Sequence, residues 1–184
     1  MERDLELLNS AREWNKDALA EIFDLYASAI YNYALRLGND PLMADDIVGD
    51  VFSNLFEQLF AGKGPKTNLR SYLYQTAYHM IIDRAYSSRR NAPVEMMDSF
   101  REDLHSASIR FEDQAMVDVI LKAMRKELTE DQRHVIILRF LEEFSLNETA
   151  AILGKEVSHI KVIQNRALAK LRKSLGDAEM ELTR

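Results

Sequence analysis

The chain has 184 residues, 47% hydrophobic and 29% charged, with a formal net charge of −6, a globular composition that allows one or two small domains with modest cores. It contains no cysteine, which removes disulfides, zinc fingers and cysteine nucleophiles and fits a reducing cytoplasm. No apolar run reaches about eighteen residues, and the first six residues lack a basic region followed by an apolar core, so the expectation is a cytoplasmic protein with no secretory signal and no membrane insertion.

Six glycines and three prolines predict an all-α protein. In the first predicted helix Leu19, Ile22, Phe23, Tyr26, Ile30, Tyr33, Ala34 and Leu37 recur at helical spacing, and Gly38 closes it. Asp40-Pro41 supplies an N-cap and a first-turn proline for the next helix. That helix carries Ile47, Val48, Val51, Phe52, Leu55, Phe56 and Leu59 inward, with Asp45, Asp46, Asp50 and Glu57 on its other side. Residues 61–68, Ala-Gly-Lys-Gly-Pro-Lys-Thr-Asn, form a basic, glycine-rich loop. Asn68 is placed to cap a third helix over about 69–87, with Leu69, Leu73, Thr76, Ala77, Met80 and Ile81 facing in. Three packed helices then make a domain over residues 1–92.

A polar, acidic linker is expected over 93–112. Helical pattern returns with Val117, Ile120, Leu121, Met124 and Leu128. Thr129 and Gln132 have capping-box spacing and open a helix bearing Val135, Ile136, Leu138 and Phe140. Ser145 and Glu148 form a second such box, followed by the small apolar run Ala150 to Leu153 and by Gly154, which can take the left-handed conformation that ends a helix. The last helix places Val157, Ile160, Ile163 or Gln164, Ala167, Leu168 and Leu171 inward. Helix, glycine turn, helix with a basic outer side is a helix-turn-helix pattern, whose second helix suits a DNA major groove. The second domain spans 113–175, and 176–184 read as a polar, frayed tail.

Charge alternates along the chain. Residues 1–60 hold four basic and twelve acidic residues; 61–91 hold six and one; 92–131 hold five and ten; 132–184 hold nine and seven. Two basic segments separated by an acidic one suggest two nucleic-acid contacts. The overall negative charge predicts weak DNA binding by the chain alone. Within 61–91, Arg70, Tyr72, Tyr74, Tyr78, His79, Arg84, Tyr86, Arg89 and Arg90 interleave rings with cations, a chemistry suited to stacking on unpaired bases. Tyr72 is expected half-buried. Tyr74 and Tyr78 lie i, i+4 off the apolar stripe and are expected outside.

The order of these parts resembles the extracytoplasmic-function, or group IV, RNA polymerase sigma factors, over about residues 15–92 and 113–175. Ala44-Asp-Asp-Ile-Val-Gly-Asp-Val-Phe52 is similar to that family's A-E-D-L-V-Q-E-V-F helix. Residues 69–84 resemble its F-R-x-W-L-x-x-I-A-x-N-x-x-x-D-x-x-R helix, and 128–139 its L-P-x-x-x-R-x-V-x-x-L-R segment. Ile160-Lys161 and Arg166-Ala167 fall where the family's recognition helix carries V-K and R-A. Gly49, Tyr72, His79 and Val162 stand where glutamine, tryptophan, asparagine and serine are usual.

The resemblance implies a set of partners. Asp45, Asp46, Gly49 and Asp50 would dock on the β′ coiled coil of core RNA polymerase. Lys63, Lys66, Asn68, Arg70, Tyr74, Tyr78, His79 and Arg84 would hold the melted −10 strand of promoter DNA. Arg139, Lys155, Ser158, His159, Lys161, Val162, Asn165 and Arg166 would read the −35 element while the last domain sits on the β flap. An anti-sigma factor that covers the docking faces is a further expected partner. No cofactor, metal or catalytic residue is implied. His79 and Asp83 have a metal-ligand spacing without a second pair, and Gly62-Lys63-Gly64 lacks the full phosphate-loop pattern. The competing reading is a two-domain helix-turn-helix regulator that binds duplex DNA without polymerase.

Overall fold

The computed structural model describes residues 2–38, 40–91 and 111–182. All the regular elements among them are helical. They are α1 (Glu2–Arg12), α2 (Lys16–Gly38), α3 (Pro41–Phe60), α4 (Leu69–Asn91), α5 (Phe111–Glu127), α6 (Glu130–Ile136), a π-helical turn (Ile137–Leu141), α7 (Leu146–Leu153) and α8 (Val157–Leu182). The chain divides into two units, the first built on α1 to α4, the second on α5, α6, the π-helical turn, most of α7, and α8.

The first unit has one helix more than the sequence predicts. α1 has only Leu7, Leu8 and Ala11 to bury, a stripe too short to stand out, and polar ties complete its attachment. Arg3 pairs with Glu21, and the Tyr26 hydroxyl donates to Asp4 Oδ1 at 2.9 Å. Burial, with that carboxylate beside it, pushes the Tyr26 phenol up to about 12. Asn15 Oδ1 accepts from the amides of Asp17 and Ala18 and caps α2. Asp40 does the same for α3, accepting from Leu42 and Met43 with Pro41 in the first turn, as predicted. Ile22, Ile30, Tyr33, Ile47, Val51, Leu55, Leu69 and Leu73 are fully buried between α2, α3 and α4.

In the second unit both predicted capping boxes close. The Thr129 hydroxyl accepts from Gln132 N while Gln132 Oε1 accepts from Thr129 N. Ser145 and Glu148 repeat the arrangement at the start of α7. The π-helical turn inserts extra backbone after α6 and rotates the helix face. Phe140, predicted inward, is 48% exposed as a result, while Ile137 and Leu138 are buried. Gly154 ends α7 at φ 62°, with Lys155 N donating to Ala150 O at 2.9 Å. α8 continues through Leu182, so the frayed tail expected over 176–184 is helical as far as it is described. Of the expected linker, 93–110 lie outside the described residues, and Phe111 and Glu112 open α5.

His134 on α6 is fully buried. Burial pushes its pKa down to about 3, with Asp131 opposing the shift and Arg133 and Lys155 adding to it. In the unfolded chain the imidazole takes up a proton near pH 6.5, whereas in the folded one it stays neutral until about pH 3. The unfolded state therefore binds more protons across that window, and stability is full above it and falls as pH drops through it. Urea unfolding of the full chain as a function of pH should show the slope between pH 6 and pH 4 reduced in His134→Leu, by up to roughly 1.4 kcal/mol per pH unit. Equal slopes in the two proteins would contradict the assignment.

Candidate nucleic-acid interface

α4 buries the Leu69, Leu73, Ala77 and Ile81 row that its sequence predicts, and more besides. Tyr74 is fully buried and Tyr78 is 9% exposed, while Thr76 and Met80, expected inside, are half-buried. The reason is that α4 packs against α1, α2 and α3 together. The buried arc is therefore wider than the Leu69, Leu73, Ala77, Ile81 row, and it widens towards Tyr74 and Tyr78. The Tyr74 ring tilts onto Tyr33 of α2, centroids 5.1 Å apart, and the Arg70 guanidinium lies 5.6 Å from its centroid. Thr76 turns its hydroxyl back to Tyr72 O at 2.9 Å. Tyr72 is half-buried, as predicted, and donates to Asn54 Oδ1 at 3.1 Å; burial raises its phenol pKa. Tyr74 and Tyr78 are core residues, and a stacking surface made of their rings is not present.

The loop before α4 does face solvent. Lys63, Lys66 and Asn68 are exposed, as is His79 further along α4, and Arg70 is half-buried. Gly62 and Gly64 sit at φ 69° and 86°, where a side chain would be strained. Asn68 also has a left-handed φ of 53°, and its carbonyl accepts the first α4 bond from Tyr72 N. The loop is held from α1. Arg12 donates from Nη2 to Pro65 O at 2.6 Å and from Nη1 to Lys63 O at 3.2 Å. Nothing in the sequence pointed to Arg12, because its acceptors are carbonyls more than fifty positions away.

On α3, Asp45, Asp46, Gly49 and Asp50 share the exposed face, opposite Ala44, Ile47 and Val51. A Cβ at Gly49 would meet nothing within 4 Å. Arg84 of α4 reaches this face and pairs with Asp46 at 3.4 Å and with Asp50. The resemblance assigns Arg84 to DNA and the aspartates to a protein, and the fold brings them together. Both carboxylates are more than half exposed, so solvent screens the pair and its contribution to stability is below about 1 kcal/mol.

The helix-turn-helix divides its basic residues into two sets. Lys155 pairs with Asp131 at 3.1 Å. Arg139 donates from Nε to Gln164 Oε1 at 3.1 Å and from Nη1 to Phe144 O. Lys170, outside the predicted site, donates to Glu127 O and Gln132 Oε1. These three cations tie elements of the unit together. Ser158, His159, Lys161, Val162, Asn165 and Arg166 are all exposed along α8, opposite buried Ile160, Ile163, Ala167 and Leu171. Exposed Arg172 and Lys173 continue the row one turn beyond Ala169. A helix opening at a glycine turn and bearing such a row has the form of a groove reader. Among the described residues no cluster of three or more His, Asp or Glu is placed to hold a metal, and no helix is long and apolar enough to cross a membrane.

The sigma-70 region 2 family model matches residues 22–91 and the sigma-70 region 4 model matches residues 126–173. The two matches together span more than half of the chain, which belongs to the sigma-70 family. It is 26% identical over 181 residues to the ECF RNA polymerase sigma factor BldN of Streptomyces coelicolor, covering 95% of this chain and 67% of that one. It is 27% identical over 166 residues to the ECF sigma factor SigX of Bacillus subtilis, covering 88% and 85%. Its fold is similar to that of the sigma factor RpoE in a co-crystal structure with the anti-sigma factor NepR from Bartonella quintana, with a TM-score of 0.65, 23% identity, and coverage of 85% and 96%. Region 2 of this sigma factor is thus α2 to α4 with α1 packed before it, and region 4 runs from the end of α5 into α8.

Tyr74→Ala in this sigma factor should lower stability by about 3–5 kcal/mol, the range for removing a buried aromatic ring, as read by urea denaturation. Loss of less than about 1 kcal/mol would contradict the burial of the ring.

Proposed function

We propose that this sigma factor binds core RNA polymerase, recognises the −35 and −10 elements of its promoters and promotes strand opening. The acidic face of α3, with Asp45, Asp46 and Asp50, is the docking surface for the β′ coiled coil, and region 4 sits on the β flap. Lys63, Lys66, Asn68 and His79 hold the melted −10 strand. Tyr74 and Tyr78 support that surface from beneath instead of touching DNA. The exposed row of α8, with Ser158, His159, Lys161, Val162, Asn165 and Arg166, reads the −35 element in the major groove, and Arg172 and Lys173 add phosphate contacts. Arg139 and Lys155 hold the reading helix in place.

The observation that carries this reading is the segregation on α8: every predicted groove residue on that helix lies on its exposed side. The protein needs no catalytic group of its own, because the polymerase forms the phosphodiester bonds. Work on promoters beside polymerase is done in the cytoplasm. An anti-sigma factor is the fitting regulator. The Bartonella sigma factor of similar fold was crystallised with one, and the acidic α3 face offers a cationic inhibitor the same charges that it offers polymerase.

Run-off transcription with purified core polymerase and a genomic promoter library tests the proposal. Promoter-specific transcripts should appear only when the chain is added. Lys161→Ala combined with Arg166→Ala should reduce them roughly tenfold or more, since each good base contact is worth about 1–3 kcal/mol. Tight operator binding by the chain alone, with no gain in transcription, would favour the two-domain regulator.

A further inference from the structure

We propose that Trp14, backed by Phe60, is a stacking platform for an unpaired base of the melted strand. The inference rests on the function proposed above and adds a site to it. Trp14 lies between α1 and the Asn15 cap of α2, and Phe60 ends α3. The two rings stack, with an interplanar angle of 10°, yet Trp14 is 61% exposed and Phe60 37% exposed. One indole face is covered by Phe60, and the surface that remains open is wide and flat. Trp14 also has φ 62°, a left-handed conformation that a bulky residue rarely adopts and that costs free energy. The cost would vanish with glycine at this position, so the ring is held outward against a backbone penalty.

The surroundings fix the class of ligand. Phe60 leads directly into the basic loop, and Arg12, two residues before Trp14, anchors that loop through Lys63 O and Pro65 O. Lys63 and Lys66 stand exposed in the anchored loop, in a unit whose first sixty residues are strongly acidic. An open aromatic face joined to cations that can follow a phosphate backbone is the arrangement that binds single-stranded nucleic acid. It is the chemistry that the sequence places on Tyr74 and Tyr78, found instead at the end of α3.

Trp14 is the only tryptophan in the chain, so its emission reports on the site directly. Single-stranded oligodeoxythymidylate added to the full chain at low ionic strength should quench that emission saturably, and Lys63→Ala with Lys66→Ala should weaken the apparent affinity without changing the end point. An unchanged emission overturns the proposal. In holoenzyme, Trp14→Leu should slow promoter opening, read by permanganate reactivity, roughly tenfold, and Trp14→Phe should restore most of it. Thermal melting confirms that each variant is folded. Opening by Trp14→Leu at the wild-type rate overturns the proposal, as does loss of affinity for core polymerase in that variant, which would make the ring a protein contact. Failure of the wild-type holoenzyme to open any promoter is a separate result: it rejects the proposed function and leaves the site to be decided by the emission change.

Discussion

The wide buried face of α4 is the constraint from which the layout of region 2 follows. A small three- or four-helix unit has few large side chains with which to build a core. A buried aromatic residue removes about 150–250 Å² from water, worth roughly 4–6 kcal/mol at about 25 cal/mol per Å². Stacking on one base returns about 1–3 kcal/mol. Burial outweighs stacking, so Tyr74 and Tyr78 go inside, against Tyr33 and its neighbours. What the core does not require is left facing solvent: the loop cations, His79 and the Trp14–Phe60 pair.

The same division governs region 4. Arg139, Lys155 and Lys170 are cations with internal partners, and they tie α8 and the turn before it to α5, α6 and the π-helical turn. Lys161, Arg166, Arg172 and Lys173 point to solvent. A count of basic residues over the helix-turn-helix therefore overstates the charge offered to DNA. Together with a net charge of −6, this predicts weak binding to free DNA by the chain alone. Arg84, drawn onto Asp46 and Asp50, lowers the exposed positive charge of region 2 in the same way.

Local chemistry was the legible part of the sequence. The Asp40-Pro41 start, both capping boxes and the Gly154 turn each depend on residues within four positions of one another, and each forms as expected. The exposed side of α8 was legible because a single strong stripe faces one core. The central row of α4 was legible too, but the width of its buried face was not, because a helix with three neighbours buries an arc that periodicity alone does not delimit. Phe140 was misplaced because nothing in its sequence announces a π-helical turn. α1 was missed for want of a long stripe, and the Arg12 anchor because it joins segments distant in sequence. Ser145 and Gly154 speak for themselves in the sequence; Trp14 and Phe60 come together only on folding.

Hydrogen exchange tests the central claim most directly, namely that the aromatic residues of α4 belong to the core and the promoter surface lies around them. The comparison is between this sigma factor alone, in holoenzyme, and in holoenzyme on an opened promoter. Amides of 73–81 should be strongly protected in all three states with no further gain on promoter binding, while new protection appears over 61–70 and 157–173. Rapid exchange over 73–81 in the free protein, followed by protection only when the strand is bound, would show that those rings are available to DNA and would contradict the account.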